Sequence, residues 1–166
     1  MQHPPTTADE ITTLTTFLDY FREVVVHKLE GVEEPGLRAV LVPSPGTTLG
    51  GIIHHLAHVE RWWFQQVYGG ADLGNPWSGD DPDADFRVPP DATAESLIAF
   101  YRECCARSRE IVDDQPDLDR AVKRPGSTSG RMFSLRWILV HMIEETARHA
   151  GHLDLLRETW DGAVGD

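Results

Sequence analysis

Four long stretches of the sequence place apolar residues every three or four positions, which is the spacing of one face of an α-helix. In the first stretch this face consists of Leu14, Phe17, Leu18, Phe21, Val24, Val25 and Leu29. Each stretch is long enough for a helix of about 20 residues, and four such helices bury their apolar faces by packing together. The pattern predicts an all-α fold, an antiparallel four-helix bundle with long connecting loops. At 166 residues, the chain is expected to form a single domain over residues 1–166.

Each predicted helix begins near a residue whose side chain can accept a hydrogen bond from the first turn. These residues are Thr7, Thr48, Thr93 and Ser134. The helices are expected to cover about Ala8 to Glu30, Thr48 to Tyr68, Thr93 to just before Pro116, and Ser134 to just before Gly162. Gly151, inside the fourth helix, costs about 1 kcal/mol relative to alanine. We therefore expect another part of the chain to approach its backbone closely.

The charge of the chain limits its partners. With 27 acidic and 15 basic residues the formal net charge is -12. This charge disfavours nucleic acids and anionic membranes, because both bind positive patches.

The longest apolar runs, such as residues 137–140, are far shorter than the ~20 residues of a membrane-spanning helix. The N-terminal segment MQHPPTTADE lacks a basic region followed by an apolar stretch. We expect a cytoplasmic protein that binds neither nucleic acid nor membrane.

The two cysteines are adjacent, at Cys104 and Cys105, within the third predicted helix. Their side chains diverge by about 100° on a helix, so neither a disulfide between them nor a CxxC redox motif is expected. We interpret both as residues of the core or its boundary.

The fourth predicted helix carries the segment HMIEETARHAGHL, residues 141–153, which holds three histidines and two glutamates. Glu145 and His149 are four residues apart, so they lie about 40° apart on one face, one turn above the other. Both side chains can therefore contact a single ion. His141 and His152 extend the same stripe by one turn in each direction.

The second predicted helix carries a matching segment, HHLAHVERWWF. His54 and His58 are four residues apart, and His55 lies on a neighbouring face. Neutral imidazoles and carboxylates are good ligands for Zn²⁺, Ni²⁺ or Fe²⁺, and a bundle can bring side chains of facing helices together. The alternative is that these histidines are hydrogen-bonded packing residues or are solvated.

Glu145 bears on the choice between these interpretations. A carboxylate that faces the core of a bundle needs a cation or strong hydrogen bonds to offset its desolvation. The other possibility is that Glu145 pairs with Arg148 or Arg61 near the surface.

The blocks TTLGGIIHHLAHVERWWFQQVYGG and LVHMIEETARHAGHLDLLRE together resemble the DinB-like superfamily of metal-binding four-helix proteins. The resemblance covers most of the chain and is strongest to the actinobacterial branch, near the mycothiol-dependent maleylpyruvate isomerases and the mycothiol S-transferases. It implies a DinB-like bundle whose second helix supplies one metal ligand and whose fourth helix supplies two. By motif, the implied ligands are His55, Glu145 and His149. Many members have histidine at the position of Glu145. The maleylpyruvate isomerases have glutamate there, as this chain does.

This resemblance implies a divalent-metal-dependent thiol transferase or isomerase with a role in detoxification, Zn²⁺ or Ni²⁺ being the favoured ion. The cosubstrates would be a low-molecular-weight thiol such as mycothiol and a small electrophile. Three protein ligands leave an open position, at which a thiol loses its proton and becomes a nucleophile. His58 and His152 are the candidate proton relays, because an ordinary imidazole titrates near neutral pH. The competing interpretation is a non-enzymatic metal- or ligand-binding stress-response bundle, with His152 or His58 closing the metal shell.

Two long loops are candidate ligand sites, since bundle mouths often carry pockets. Trp77 lies in GGADLGNPWSGDDPDADFRVPPD and Arg131 lies in KRPGSTSGRMF, and both are predicted to contact the thiol cofactor or its electrophile. For Arg131 the alternative is a contact with solvent or the helix start.

Trp62 and Trp63 are interpreted as core and interface anchors. A homodimer is expected from the resemblance and from the aromatic residues near the end of the second helix.

Overall fold

The computed structural model describes residues 3–125 and 130–165. Its α-helices are α1 (Glu10–Leu29), α2 (Glu34–Leu37), α3 (Leu49–Glu60), α4 (Ala94–Asp114) and α5 (Leu135–Asp161). A π-helical segment, Arg61–Tyr68, continues α3, and a 3₁₀ turn, Ala84–Phe86, lies in the following loop. The prediction of an all-α bundle is confirmed. No helix within the described ranges is long and apolar enough to cross a membrane.

The four long helices form two parallel pairs. In the first pair, α1 and α5 share both ends, since Arg136 bonds Glu10 and Arg157 bonds the carbonyl of Lys28. In the second pair, the end of the π-helical segment meets the end of α4, where the hydroxyl of Tyr68 donates to the carbonyl of Gln115.

The two pairs run in opposite directions. Asp19 and Glu23 of α1 pair with Arg109 and Arg102 of α4, respectively, so the two helices are antiparallel. A connection between parallel neighbours must return along the length of the bundle. This explains the long segment between Tyr68 and α4.

Three of the four predicted N-caps are confirmed. The side chains of Thr48, Thr93 and Ser134 accept hydrogen bonds from the first turns of α3, α4 and α5. The prediction of Thr7 for α1 is wrong, because Asp9 caps that helix and accepts from the amide of Thr12 at 2.8 Å. The charged carboxylate of Asp9 also complements the positive end of the helix dipole.

The expectation of a close backbone approach at Gly151 is wrong. A Cβ built at Gly151 would have no neighbour within 4 Å, because this face of α5 is exposed. The tight approach lies instead in the first turn of α3. A Cβ at Gly51 would lie 2.5 Å from the carbonyl oxygen of Gly46 and 2.6 Å from that of Phe86. Glycine therefore lets two loops pack directly against the start of α3.

The middle of the bundle contains a buried ion pair. Arg22 donates from Nε and Nη2 to the two carboxylate oxygens of Glu60 at 2.8 and 2.7 Å. Glu60 is fully buried, so this bidentate pair satisfies a charge that the core could not otherwise hold. Cys104 and Cys105 are both buried and free, which confirms them as core residues.

Candidate metal centre

The structure brings the three implied ligands together between α3 and α5. Nε2 of His55 lies 3.1 Å from Oε1 of Glu145, and Nε2 of His149 lies 3.3 Å from the same oxygen. One ligand atom from each of the three residues lies within 4.8 Å of the others. Their side chains are only 13%, 12% and 11% exposed. An ion with bonds of ~2.0–2.2 Å separates neighbouring ligand atoms by about 3.3 Å, so this group fits one divalent ion.

Asp85 fixes the tautomer of His55, and sequence reasoning missed it. Its Oδ2 lies 2.7 Å from Nδ1 of His55. A carboxylate can only accept here, so the ring proton lies on Nδ1 and the lone pair of Nε2 faces Glu145. Nε2 of His55 and Oε1 of Glu145 are then both acceptors. At this distance they repel each other unless a proton or a metal ion lies between them. A buried carboxylate behind a histidine is also the usual outer partner of a metal ligand.

Phe86 closes one side of the centre. Its ring stacks on His55 with the centroids 4.0 Å apart and the planes 12° from parallel. The 3₁₀ turn that carries Asp85 and Phe86 packs on the start of α3, where Gly51 leaves room for it. One short turn of the long loop therefore supplies both the hydrogen bond and the ring that hold His55.

Glu145 uses its two oxygens differently. Oε1 faces the two histidines, whereas Oε2 accepts from Nη2 of Arg148 at 2.8 Å. The predicted pairing with Arg148 is confirmed, and the role of Glu145 as a metal ligand stays a prediction. Arg61 instead donates to the carbonyl of Leu73.

The charges at this centre support one another. The neighbouring imidazoles, His149 first and then His55, hold the pKa of Glu145 well below its usual value, against the opposing effect of burial. Burial disfavours charge on His55, yet the adjacent carboxylates of Asp85 and Glu145 outweigh burial and raise its pKa. The carboxylates are thus arranged to hold a positive charge, which is what a metal ion supplies.

His152 lies behind His149, the other candidate histidine ligand. Its Nδ1 is 3.4 Å from Nδ1 of His149, and its side chain is exposed. Burial, followed by the nearby His149 and Arg148, lowers the pKa of His152. The residue is placed to support His149 from outside, and its proton-relay role stays a prediction.

His58 lies outside the ligand set. Its Nε2 is 3.3 Å from Nε2 of His54, on the neighbouring face of α3. Burial, followed by the effects of His54 and Arg61, lowers its pKa to about 4. A pKa this low favours the uncharged imidazole at neutral pH. A proton relay by His58 was predicted because an ordinary imidazole titrates near neutral pH. That role also stays a prediction.

Trp77 and Arg131, the two predicted ligand contacts, occupy different surroundings. Trp77 meets the edge of His58 at a centroid distance of 6.4 Å, so the long loop does reach α3. Arg131 is exposed and lies over the ring of Phe133 at 5.8 Å. Part of its loop, residues 126–129, lies outside the described residues. A ligand contact by either residue stays a prediction.

The aromatic residues at the end of the second predicted helix pack on the chain itself. Trp63 contacts Phe133, Trp137 and His141 at centroid distances of 5.2, 5.3 and 5.1 Å. Trp62 meets the edge of Trp77 at 5.9 Å. Packing is the interpretation that these contacts favour for both tryptophans.

Comparison with known proteins places the chain in a family. No curated protein matches it. A family model described as Mycothiol-S-transferase matches residues 13–162. This match runs through all four long helices and includes the three candidate ligands. The resemblance seen in the helix motifs is thereby confirmed, and the chain belongs to the mycothiol-S-transferase family.

Proposed function

We propose that this protein is a divalent-metal-dependent S-transferase that joins the thiol of mycothiol to a small electrophile. The observation that carries the proposal is the convergence of Nε2 of His55 and Nε2 of His149 on one oxygen of Glu145. The description of the matching family favours transfer over isomerisation. In this reaction the thiol loses its proton and the sulfur forms a bond to the electrophile, which releases its leaving group.

His55, Glu145 and His149 are the residues that would hold the ion. Two imidazoles and one carboxylate suit Zn²⁺ or Ni²⁺, and three protein ligands are typical of sites that keep a position open for substrate. A divalent ion supplies the electrostatic stabilisation that makes a thiol lose its proton at neutral pH.

Other residues of the chain prepare this group for its task. Asp85 holds the ring of His55 so that Nε2 points toward Glu145. Arg148 fixes Glu145 through its second oxygen, which leaves Oε1 free to face the two histidines. The ring of Phe86 covers His55 and limits the access of water from that side. Residues locked in this way lose little freedom when substrate binds.

A cavity of about 720 Å³ next to this group is a candidate site for the polar part of the thiol. Phe86 forms part of its wall and its ring stacks on His55, so the cavity adjoins the ring that covers this candidate ligand. Arg38 and Arg87, with the hydroxyls of Ser44 and Thr47, give the wall hydrogen-bonding groups. This volume is in the range of small-molecule sites. We propose that the polar part of the thiol binds here, and the contacts predicted for Trp77 and Arg131 stay predictions.

Elemental analysis and a thiol-consumption assay test the proposal together. The purified protein should hold about one ion per chain and should consume mycothiol with a bimane electrophile. His55→Ala, Glu145→Ala and His149→Ala should each lose the ion and the activity while remaining helical by circular dichroism, because the apolar faces of the bundle do not depend on them.

His141→Ala is the matched control, since His141 lies on the same helix, four residues before Glu145, and packs on Trp137. This variant should keep both ion and activity. A folded, metal-free His149→Ala protein with undiminished activity would overturn the catalytic role. Bound metal without thiol consumption would favour a non-enzymatic metal-binding bundle.

A further inference from the structure

A second pair of histidines lies on α3, on the face next to His55. His54 and His58 are four residues apart, one helical turn, and their Nε2 atoms are 3.3 Å apart. Their rings are almost perpendicular, at 82°, with centroids 4.7 Å apart. Neither residue belongs to the group formed by His55, Glu145 and His149.

The main chain determines which nitrogen of His54 is available. Nδ1 of His54 lies 2.7 Å from the carbonyl oxygen of Asp85. A carbonyl oxygen only accepts, so Nδ1 carries the proton and Nε2 presents its lone pair to His58. A backbone carbonyl behind the distal ring nitrogen is a common way to orient a metal-binding histidine. The ring of His54 is therefore held in the tautomer that binds a metal through Nε2.

The distance between the two Nε2 atoms suits one shared ion. Imidazole ligands lie ~2.0–2.1 Å from Zn²⁺, so two of them on a tetrahedral ion are about 3.3 Å apart. Two histidines at this helical spacing on one face are a recurrent metal-binding arrangement. The alternative occupant of the gap is a single proton, donated by Nε2 of His58 to Nε2 of His54.

The surroundings favour a cation that can exchange. Both imidazoles are partly exposed, so an ion can reach them from solvent. Phe100 packs near His58 at 5.5 Å and Trp77 lies at 6.4 Å, and neither side chain offers a strong ligand. The remaining positions of the ion would be filled by water. The net charge of -12 raises the local concentration of cations around the chain.

We propose that His54 and His58 form a second divalent-metal site, distinct from the candidate centre on α3 and α5. Its two nitrogen ligands select late first-row ions such as Zn²⁺, Ni²⁺ and Cu²⁺ over Mg²⁺ and Ca²⁺. With two protein ligands against three, this site binds more weakly and exchanges its ion faster. The inference does not depend on transferase activity.

Equilibrium dialysis against excess Zn²⁺ or Ni²⁺ counts the sites. The intact protein should bind about two ions per chain, and His58→Ala about one. His149→Ala should also bind about one ion, and the double variant His58→Ala/His149→Ala none. His58 is the residue to replace, because loss of His54 would also disturb its contact with Asp85. Cu²⁺ bound to the His149→Ala protein should give an electron paramagnetic resonance spectrum in which the copper signal is coupled to nitrogen. In the double variant this coupling should be absent.

His141→Ala is again the control, as a partly exposed histidine that lies outside both groups, and it should still bind two ions. The inference is overturned if the intact protein and His58→Ala bind the same number of ions. It is also overturned if the second ion survives in His58→Ala and is lost in His141→Ala, because the ion would then occupy another surface histidine. The difference of one ion between the intact protein and His58→Ala reports the second site alone, and it does not depend on transferase activity or on the ion held by His55, Glu145 and His149.

Discussion

At the scale of single residues, the candidate centre depends on where a few protons lie. Asp85 places the proton of His55 on Nδ1, so Nε2 turns its lone pair toward Glu145 at 3.1 Å. Helical spacing predicts that Glu145 and His149 share a face, and the structure confirms it. Asp85 was not predicted, because it is 30 residues from His55 and belongs to a loop with several other aspartates.

Asp85→Asn tests the role of this outer carboxylate. An amide is neutral and offers a donor as well as an acceptor, so it supports the wrong tautomer of His55 as readily as the right one. Loss of an outer partner usually weakens metal binding ~10- to 100-fold, and we expect that loss here, measured by competition with a chromophoric chelator. Asp83→Asn, on the exposed part of the same loop, should bind metal as the unmodified protein does. Equal affinities for all three proteins would remove Asp85 from the centre.

At the scale of elements, the long segment between Tyr68 and α4 matters most. It joins two parallel helices, and on its return it lays Asp85 and Phe86 across the start of α3. Composition predicted a functional loop here, with Trp77 as its main contact. The structure adds a different part of the same loop, the 3₁₀ turn, which packs against α3 because Gly51 has no side chain.

Gly51→Ala is expected to disturb both fold and site. The added methyl group would lie 2.5 and 2.6 Å from two backbone oxygens, which cannot rotate away as a side chain does. Overpacking of this kind costs ~1–3 kcal/mol, which denaturant unfolding measures. Because one of the oxygens belongs to Phe86, metal affinity should fall as well.

Gly151→Ala provides the matched comparison on α5. A Cβ there meets nothing within 4 Å, and the residue is helical and exposed. Alanine is favoured over glycine by ~0.5–1 kcal/mol in a helix, so this variant should unfold at higher denaturant concentration with unchanged metal affinity. Equal behaviour of the two glycine variants would contradict the packing described at the start of α3.

At the scale of the whole molecule, the bundle and the candidate metal centre are separable. The core is formed by apolar faces of all four long helices and by the buried pair of Arg22 and Glu60. These contacts do not include the candidate ligands. A homodimer, a cytoplasmic location and a role in detoxification stay predictions at this scale.

Removal of the ion should therefore leave the fold in place. After treatment with a chelator, the far-ultraviolet circular dichroism spectrum should be retained. The melting temperature should fall by the amount that ligand linkage gives for the free metal concentration used. Re-addition of Zn²⁺ or Ni²⁺ should restore it. A loss of helix on chelation would identify the ion as structural and contradict the open, substrate-binding centre.

The sequence by itself determined the properties that depend on neighbouring residues. Hydrogen bonds within a helix connect residues three or four apart, so apolar spacing, the caps Thr48, Thr93 and Ser134, and the shared face of Glu145 and His149 were all predictable. The partnership of these residues with His55, 90 positions away, came from resemblance to a family and not from spacing.

The tertiary structure alone decided the relations between distant segments. The parallel pairing of helices, the π-helical continuation of α3 and the arrival of Asp85 and Phe86 at His55 have no local signature. The physical reason is that each depends on how loops cross the bundle and on which surfaces exclude water together, and these are properties of the packed chain.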